Sequence, residues 1–143
     1  MAGGTSTKSI FVKDGQYLSM VTDNAVTLGN LVQVTATGTD TCDVGAANTT
    51  CAGVAVGGDR FSRTQTDNVV AAGNKVTVCT RGVVRVYTDA SAIVRGSFLE
   101  MGAAGVASVA GTAGTATDPK DVIGIALDAN GSAATTIRMQ LRL

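Results

Sequence analysis

The side chains most able to do chemistry are three cysteines, a scatter of aspartates and two arginines around a phenylalanine. Cys42, Cys51 and Cys79 are odd in number and sit at no metal-like spacing. A structural zinc site takes four Cys or His ligands, and the chain has three Cys and no His. A cysteine nucleophile would also lack its usual imidazole base. The thiols therefore read as small buried or half-buried groups made in a reducing cytosol. The alternative is a Cys42–Cys51 bridge that clips a loop and forms late, in an oxidising exterior. Asp118, Asp121 and Asp128 form one acidic group, and Asp40 and Asp43 another. Oxygen ligands of this type suit Ca²⁺. All five, however, lie in or beside stretches rich in Gly, Asn or Thr, where Asp serves as a turn residue. Glu100 is the single Glu, which leaves no obvious pair of carboxylates for glycoside hydrolysis. No catalytic residue, metal or cofactor is expected. Arg60 and Arg63 flank Phe61 in a polar loop. They suit contact with an acidic partner, or simple solvation. Arg85, Arg138 and Arg142 fall on polar strand faces, where pairing with Asp across strands is the expectation.

Composition narrows the function classes further. Lys plus Arg and Asp plus Glu each number 11, so the 143-residue chain is formally neutral. A neutral chain has no electrostatic footprint for nucleic acid or anionic lipid. Aromatics are 3 % and Trp is absent, which argues against stacking platforms for single strands. The longest small-apolar stretch, 102–116, is too short and too weakly hydrophobic to span a bilayer. No nucleic acid and no membrane are expected as partners. The opening residues carry no apolar core segment of a secretory signal, so synthesis and folding in a cytosol is the expectation. These traits favour a structural or interaction protein over an enzyme.

The elements that must position these groups are strands. Val and Thr are abundant, Gly numbers 18, and short Val-rich runs alternate with Gly, Asn and Asp. The clearest strand is 135–143, which is expected to pair centrally with Ile137, Met139 and Leu141 buried. Ile137, Met139, Leu141 and Leu143 alternate with Thr136, Arg138, Gln140 and Arg142, and a period of two places them on opposite faces. Two further strands are expected at 75–80 and 83–88, joined around Arg81-Gly82. Others are expected at 9–13, 17–21, 31–37, 52–56, 97–101, 105–109 and 122–127. One helical turn is expected over 89–94, capped by Thr88 or Asp89 and ended by Gly96. Loops are expected at 38–50, 57–68 and 111–121. The predicted architecture is all-β: a small barrel or sandwich of about eight to ten short antiparallel strands, within the usual range. It carries an extended N-terminal arm and at most one short helix. Residues 1–8 form the arm and 9–143 a single β domain.

Two patterns repeat within the chain. Val26-Thr27-Leu28-Gly29-Asn30-Leu31-Val32 is echoed by Val70-Ala71-Ala72-Gly73-Asn74-Lys75-Val76, and more loosely by Ile93-Val94-Arg95-Gly96-Ser97-Phe98-Leu99. Gly supplies positive φ in a turn, and Asn or Ser bonds local backbone before a strand begins. The second pattern sets Ala52-Gly53-Val54-Ala55-Val56 against Ile123-Gly124-Ile125-Ala126-Leu127. Small residues there permit close approach of another backbone. Neither is a phosphate loop, because no Gly-Lys-Ser/Thr follows.

The order of these pieces resembles the Gly-, Ala- and Val-rich capsid decoration (cement) proteins of tailed bacteriophages. The resemblance covers roughly residues 25–143. It runs from the Gly29 turn through Gly53-Val54-Ala55, Ala72-Gly73-Asn74, Val76-Thr77-Val78 and Gly82-Val83-Val84 to Gly124-Ile125-Ala126-Leu127 and the alternating last strand. It implies a non-enzymatic β domain that binds the outer surface of the assembled head and stabilises it. The implied partners are the major capsid protein and other copies of this chain, commonly as a homotrimer at threefold positions. An attachment module contacting the host, or a bacterial adhesion domain, is the alternative. The expected assembly interface is the arm, Ala2, Gly3, Gly4, Thr5, Ser6, Thr7 and Lys8, with Arg60, Phe61 and Arg63. The arm holds no residue large enough to anchor in its own core except Met1. Ordering it costs on the order of 1–2 kcal/mol per residue in backbone entropy, which contacts along another chain's strand edge would have to offset.

Overall fold

A computed structural model describes residues 15–47, 49–58, 68–111 and 122–143. Eleven strands follow in chain order: β1 (Gln16–Thr22), β2 (Val26–Thr27), β3 (Leu31–Val34), β4 (Thr41–Val44), β5 (Cys51–Gly58), β6 (Val69–Val70), β7 (Lys75–Tyr87), β8 (Phe98–Met101), β9 (Ala107–Val109), β10 (Gly124–Ala126) and β11 (Thr136–Arg142). One 3₁₀ turn, Ala103–Gly105, precedes β9. The expected all-β class is what the chain adopts. The expected strand at 9–13 and the arm at 1–8 lie outside the described residues.

The frame is built on β7, a single strand of 13 residues. Two strands joined around Arg81-Gly82 were expected there, and this is corrected: the chain runs straight through. Gly82 takes φ 128° within the strand, so its freedom relieves the backbone without reversing it. The two halves of β7 then serve two sets of partners. The first half pairs with β1 on residues 75–81 and with β5 on residues 76–79. Because β1 also pairs with β4, and β3 lies between β4 and β5, the ring β1-β4-β3-β5-β7 closes. The second half pairs with β11, followed by β10, β8 and β9. A parallel bridge from Thr88 to Ala107 returns β9 to the end of β7. Ring closure removes exposed edges. The strands are not all antiparallel as expected, since β1 and β4 run parallel.

Alternation sorts the side chains. Val76, Val78, Val84 and Val86 of β7 are buried, and so are Ile137, Met139 and Leu141 of β11, all in one continuous apolar cluster. β11 lies between β7 and β10, as its pattern predicts. Only Leu143, one residue past β11, departs from the expected face and is exposed.

The first repeat is a repeated turn. Asn30 N–H donates to Thr27 O at 3.1 Å, Asn74 N–H to Ala71 O at 3.2 Å and Ser97 N–H to Val94 O at 3.0 Å. The third residue of each is Gly29, Gly73 or Gly96, at φ 99°, 81° and 91°. This is type II geometry, which needs positive φ at that position. Each turn launches a long-range strand, β3, β7 or β8. The strands entering the first two copies pair directly, with buried Val26 opposite buried Val70.

The second repeat marks close strand approach. A Cβ on Gly53 would stand 2.1 Å from Cys79 O, and one on Gly124 would stand 2.5 Å from Gln140 O. The small residues expected to admit a neighbouring backbone do so at both positions.

Two expectations for the connecting segments are corrected. The expected helical turn at 89–94 is not helical. Asp89 accepts from Ser91 N–H at 2.9 Å and also accepts the hydroxyls of Ser91 and Ser108. These side-chain bonds replace helical backbone bonds. The expected loop at 38–50 contains β4, whose Cys42 is fully buried between its polar neighbours.

Candidate assembly surface

The residues expected to form the interface, Ala2 to Lys8 with Arg60, Phe61 and Arg63, lie outside the described residues, as do Asp118 and Asp121. The remaining acidic residues singled out have local roles. Asp40 is in a left-handed turn at φ 55°. Asp43 accepts from Asn24 Nδ2 at 2.8 Å and from Val44 N–H at 2.7 Å. Asp128 binds Arg138. Among the described residues no three His, Cys, Asp or Glu side chains gather to hold a metal, and no helix is long and apolar enough to cross a membrane.

The thiols are free. Cys42 faces Val34 across the β3–β4 pair, and Cys51 faces Gln33 across the β3–β5 pair. The two cysteines thus stand on opposite sides of β3, roughly two strand spacings or 9–10 Å apart. A disulfide needs Cα atoms within about 7 Å, so the Cys42–Cys51 bridge does not fit this sheet. Burial pushes the Cys42 thiol up to about 11 and the Cys51 thiol up to about 12. Cys79 is also raised by burial, and its thiol bonds Arg81 O at 3.1 Å.

The most distinctive surface lies on the outer face of β7 and β11. The register places Arg81 opposite Arg142, Val83 opposite Gln140, Arg85 opposite Arg138 and Tyr87 opposite Thr136. Four arginines thus share one face of one strand pair. Pairing with Asp across strands was expected for Arg85, Arg138 and Arg142. The correction is that each stands opposite another arginine. Only Arg138 has an ion pair with Asp among the described residues, and that Asp lies beyond β10 rather than on a facing strand.

That pair is well built. Arg138 Nε and its terminal nitrogen donate to the two Asp128 oxygens at 2.9 and 2.7 Å, and Arg138 N–H adds a third bond at 3.0 Å. The guanidinium bonds, then the backbone N–H, hold the Asp128 carboxyl at about 2, below its ordinary 3.8, with the charges of Arg138 and Arg85 adding to them. Arg81 and Arg142 at the other end are both exposed. Beside them opens a cleft of about 690 Å³ whose walls include Gln16, Gly82, Gln140 and Leu143. Sequence reasoning placed Arg142 on a polar face but did not see Arg81 opposite it. The β7–β11 register was the missing information.

A second exposed feature is apolar. Phe98 on β8 is 59 % exposed and Val94, in the turn just before it, 62 %. Tyr17 and Leu18 of β1 are also exposed.

No protein-family model matches the sequence, and no curated protein matches it. Solved structures do match the fold. A chain from the capsid of Myoviridae phage XM1 is similar over 90 % of this chain and 83 % of its own length, with a TM-score of 0.61 and 17 % identity. The N base of the head fiber gp8.5 of bacteriophage phi29 is similar over 90 % of this chain and 95 % of its own length, with a TM-score of 0.52 and 15 % identity. The chain shares its fold with phage head proteins. The likeness spans almost the whole chain at low identity, so what it shows is a shared fold.

Proposed function

We propose that the protein is a non-enzymatic virion component that binds the outer surface of an assembled phage head and stabilises the shell. The observation that carries this reading is the shared fold, which covers 90 % of the chain in two phage head structures. The chemistry of the chain supports it. It has no His and one Glu, and its raised thiols are poor nucleophiles at neutral pH. A decoration protein needs no reacting group. It needs a rigid β unit and repeated contacts, because many modest contacts on a lattice give strong retention. The partner in this reading is the major capsid protein. Self-association as a homotrimer at threefold positions and synthesis in the host cytoplasm belong to the same proposal.

The test is sedimentation of the purified chain with heads. Expanded heads should take up the chain to a saturable stoichiometry set by the lattice, and precursor heads should not. Uptake without saturation, or equal uptake by both forms, contradicts the reading. A second reading, an attachment module displayed on the head, is favoured by the likeness to a head fiber base. It predicts binding to host cells by the isolated chain.

A further inference from the structure

We infer that the cleft at Arg81 and Arg142 docks a carboxylate-bearing segment of a partner protein. The two arginines are directly opposite on β7 and β11, and like charges so placed destabilise a strand pair. The sister pair, Arg85 and Arg138, has Asp128 against it. Arg81 and Arg142 have no ion pair among the described residues, and both are exposed beside a concavity of about 690 Å³. Two guanidinium forks at the rim of a concavity match carboxylate geometry, each able to donate a bidentate pair of hydrogen bonds to one carboxylate. The rest of the surroundings suit a peptide: Gln140 offers an amide, and Leu143, half exposed, offers an apolar wall.

A protein partner fits better than nucleic acid. Duplex binding uses a basic stripe that neutralises many phosphates. Here two guanidinia stand at one end of a face, on a chain whose positive and negative side chains balance at 11 each. This inference rests on the head-surface reading only for where the partner resides, and deepens it by naming the contact chemistry.

The experiment compares the full chain with R81Q/R142Q and with K75Q/R95Q, which removes the same charge at two other exposed positions. The probes are poly-L-glutamate, duplex DNA, and expanded heads assembled without this chain. The unmodified chain and K75Q/R95Q should bind poly-L-glutamate and heads alike. R81Q/R142Q should lose about tenfold or more in both, with a weaker response to salt. Its melting temperature should stay equal or rise, because a like-charge pair has been removed. Equal binding by R81Q/R142Q, an equal loss in K75Q/R95Q, or a loss confined to DNA overturns the inference. So does a fall in melting temperature with unchanged binding, which assigns the two arginines to an acidic group of this chain. If the unmodified chain binds poly-L-glutamate through this pair but no heads, the head-surface reading fails and the cleft stands. Head binding that survives R81Q/R142Q gives the reverse result.

Discussion

Asn130 and Asp89, 41 residues apart, are joined by the Asn130 amide, whose Nδ2 donates to Asp89 O at 3.1 Å. The same nitrogen donates to Ser91 O at 2.7 Å. Asn130 Oδ1 accepts from Ile93 N–H at 3.1 Å and from Ser132 N–H at 2.9 Å. One buried side chain, 5 % exposed, thus fills four backbone vacancies and pins the segment after β7 to the one before β11. Replacing Asn130 with Ala should cost about 2–4 kcal/mol, because unsatisfied buried groups cost about 1–3 kcal/mol each and water re-enters some of them. Urea unfolding measures this. A loss below about 0.5 kcal/mol, the range of ordinary surface substitutions, would show that the amide pins nothing.

The close strand approaches at Gly53 and Gly124 set a second expectation. A methyl group at either position would overlap a carbonyl on the neighbouring strand, Cys79 O or Gln140 O. Gly131, at φ 65°, has nothing within 4 Å of its would-be Cβ. Gly53→Ala and Gly124→Ala should each cost about 1–3 kcal/mol or more through overpacking. Gly131→Ala should cost only the strain of positive φ, about 1 kcal/mol. The ranking is read from melting temperatures, and a Gly131→Ala variant as unstable as the other two would contradict it.

The thiols make a prediction about reactivity. Burial pushes Cys42 and Cys51 up to about 11 and about 12, so both stay protonated at pH 8. Alkylation of the native chain at pH 8 should be slow at all three cysteines and complete after unfolding. Melting temperature should be the same with and without reductant, because Cys42 and Cys51 flank β3. A large drop on reduction would require a bridge that this register does not allow.

Acid should weaken the fold through the aspartates. The Asp128 carboxyl is at about 2 against an ordinary 3.8. A depressed folded-state value contributes stability that is present above 3.8 and is lost as pH falls towards about 2. Desolvation opposes ionisation of Asp89, yet hydrogen bonds from Ser108 and Ser91 leave it lowered as well. Stability should therefore decline across this window, and Asp128→Asn should flatten part of the decline. The Asp128–Arg138 pair is well exposed, so solvent screening keeps its share small. Denaturation at a series of pH values gives the slope, and an unaltered slope in Asp128→Asn would remove Asp128 from the effect.

What could be read from the sequence depended on how strongly each segment announced its period. Ile137, Met139 and Leu141 alternate with polar residues over a full strand, so the face and central place of β11 were legible. So was the turn chemistry of Gly29, Gly73 and Gly96, because positive φ has a residue signature. Arg81-Gly82 misled, since Gly marks a strand irregularity as well as a reversal. β4 was hidden because Cys42 is its only fully buried side chain, and β2 and β6 have two residues each, too short for any period. The arginine face depends on pairing between positions 61 and 53 residues apart, Arg81 with Arg142 and Arg85 with Arg138, and no local pattern carries that register.

The thermal release of packaged DNA from heads tests the stabilising role most directly. Heads assembled without this chain are divided, one half is saturated with it, and both are heated with a dye that reports exposed DNA. A capsid-stabilising protein raises the release temperature in proportion to occupancy, up to saturation. Saturated heads that release their DNA at the same temperature as bare ones would contradict stabilisation and leave display on the head surface as the better reading.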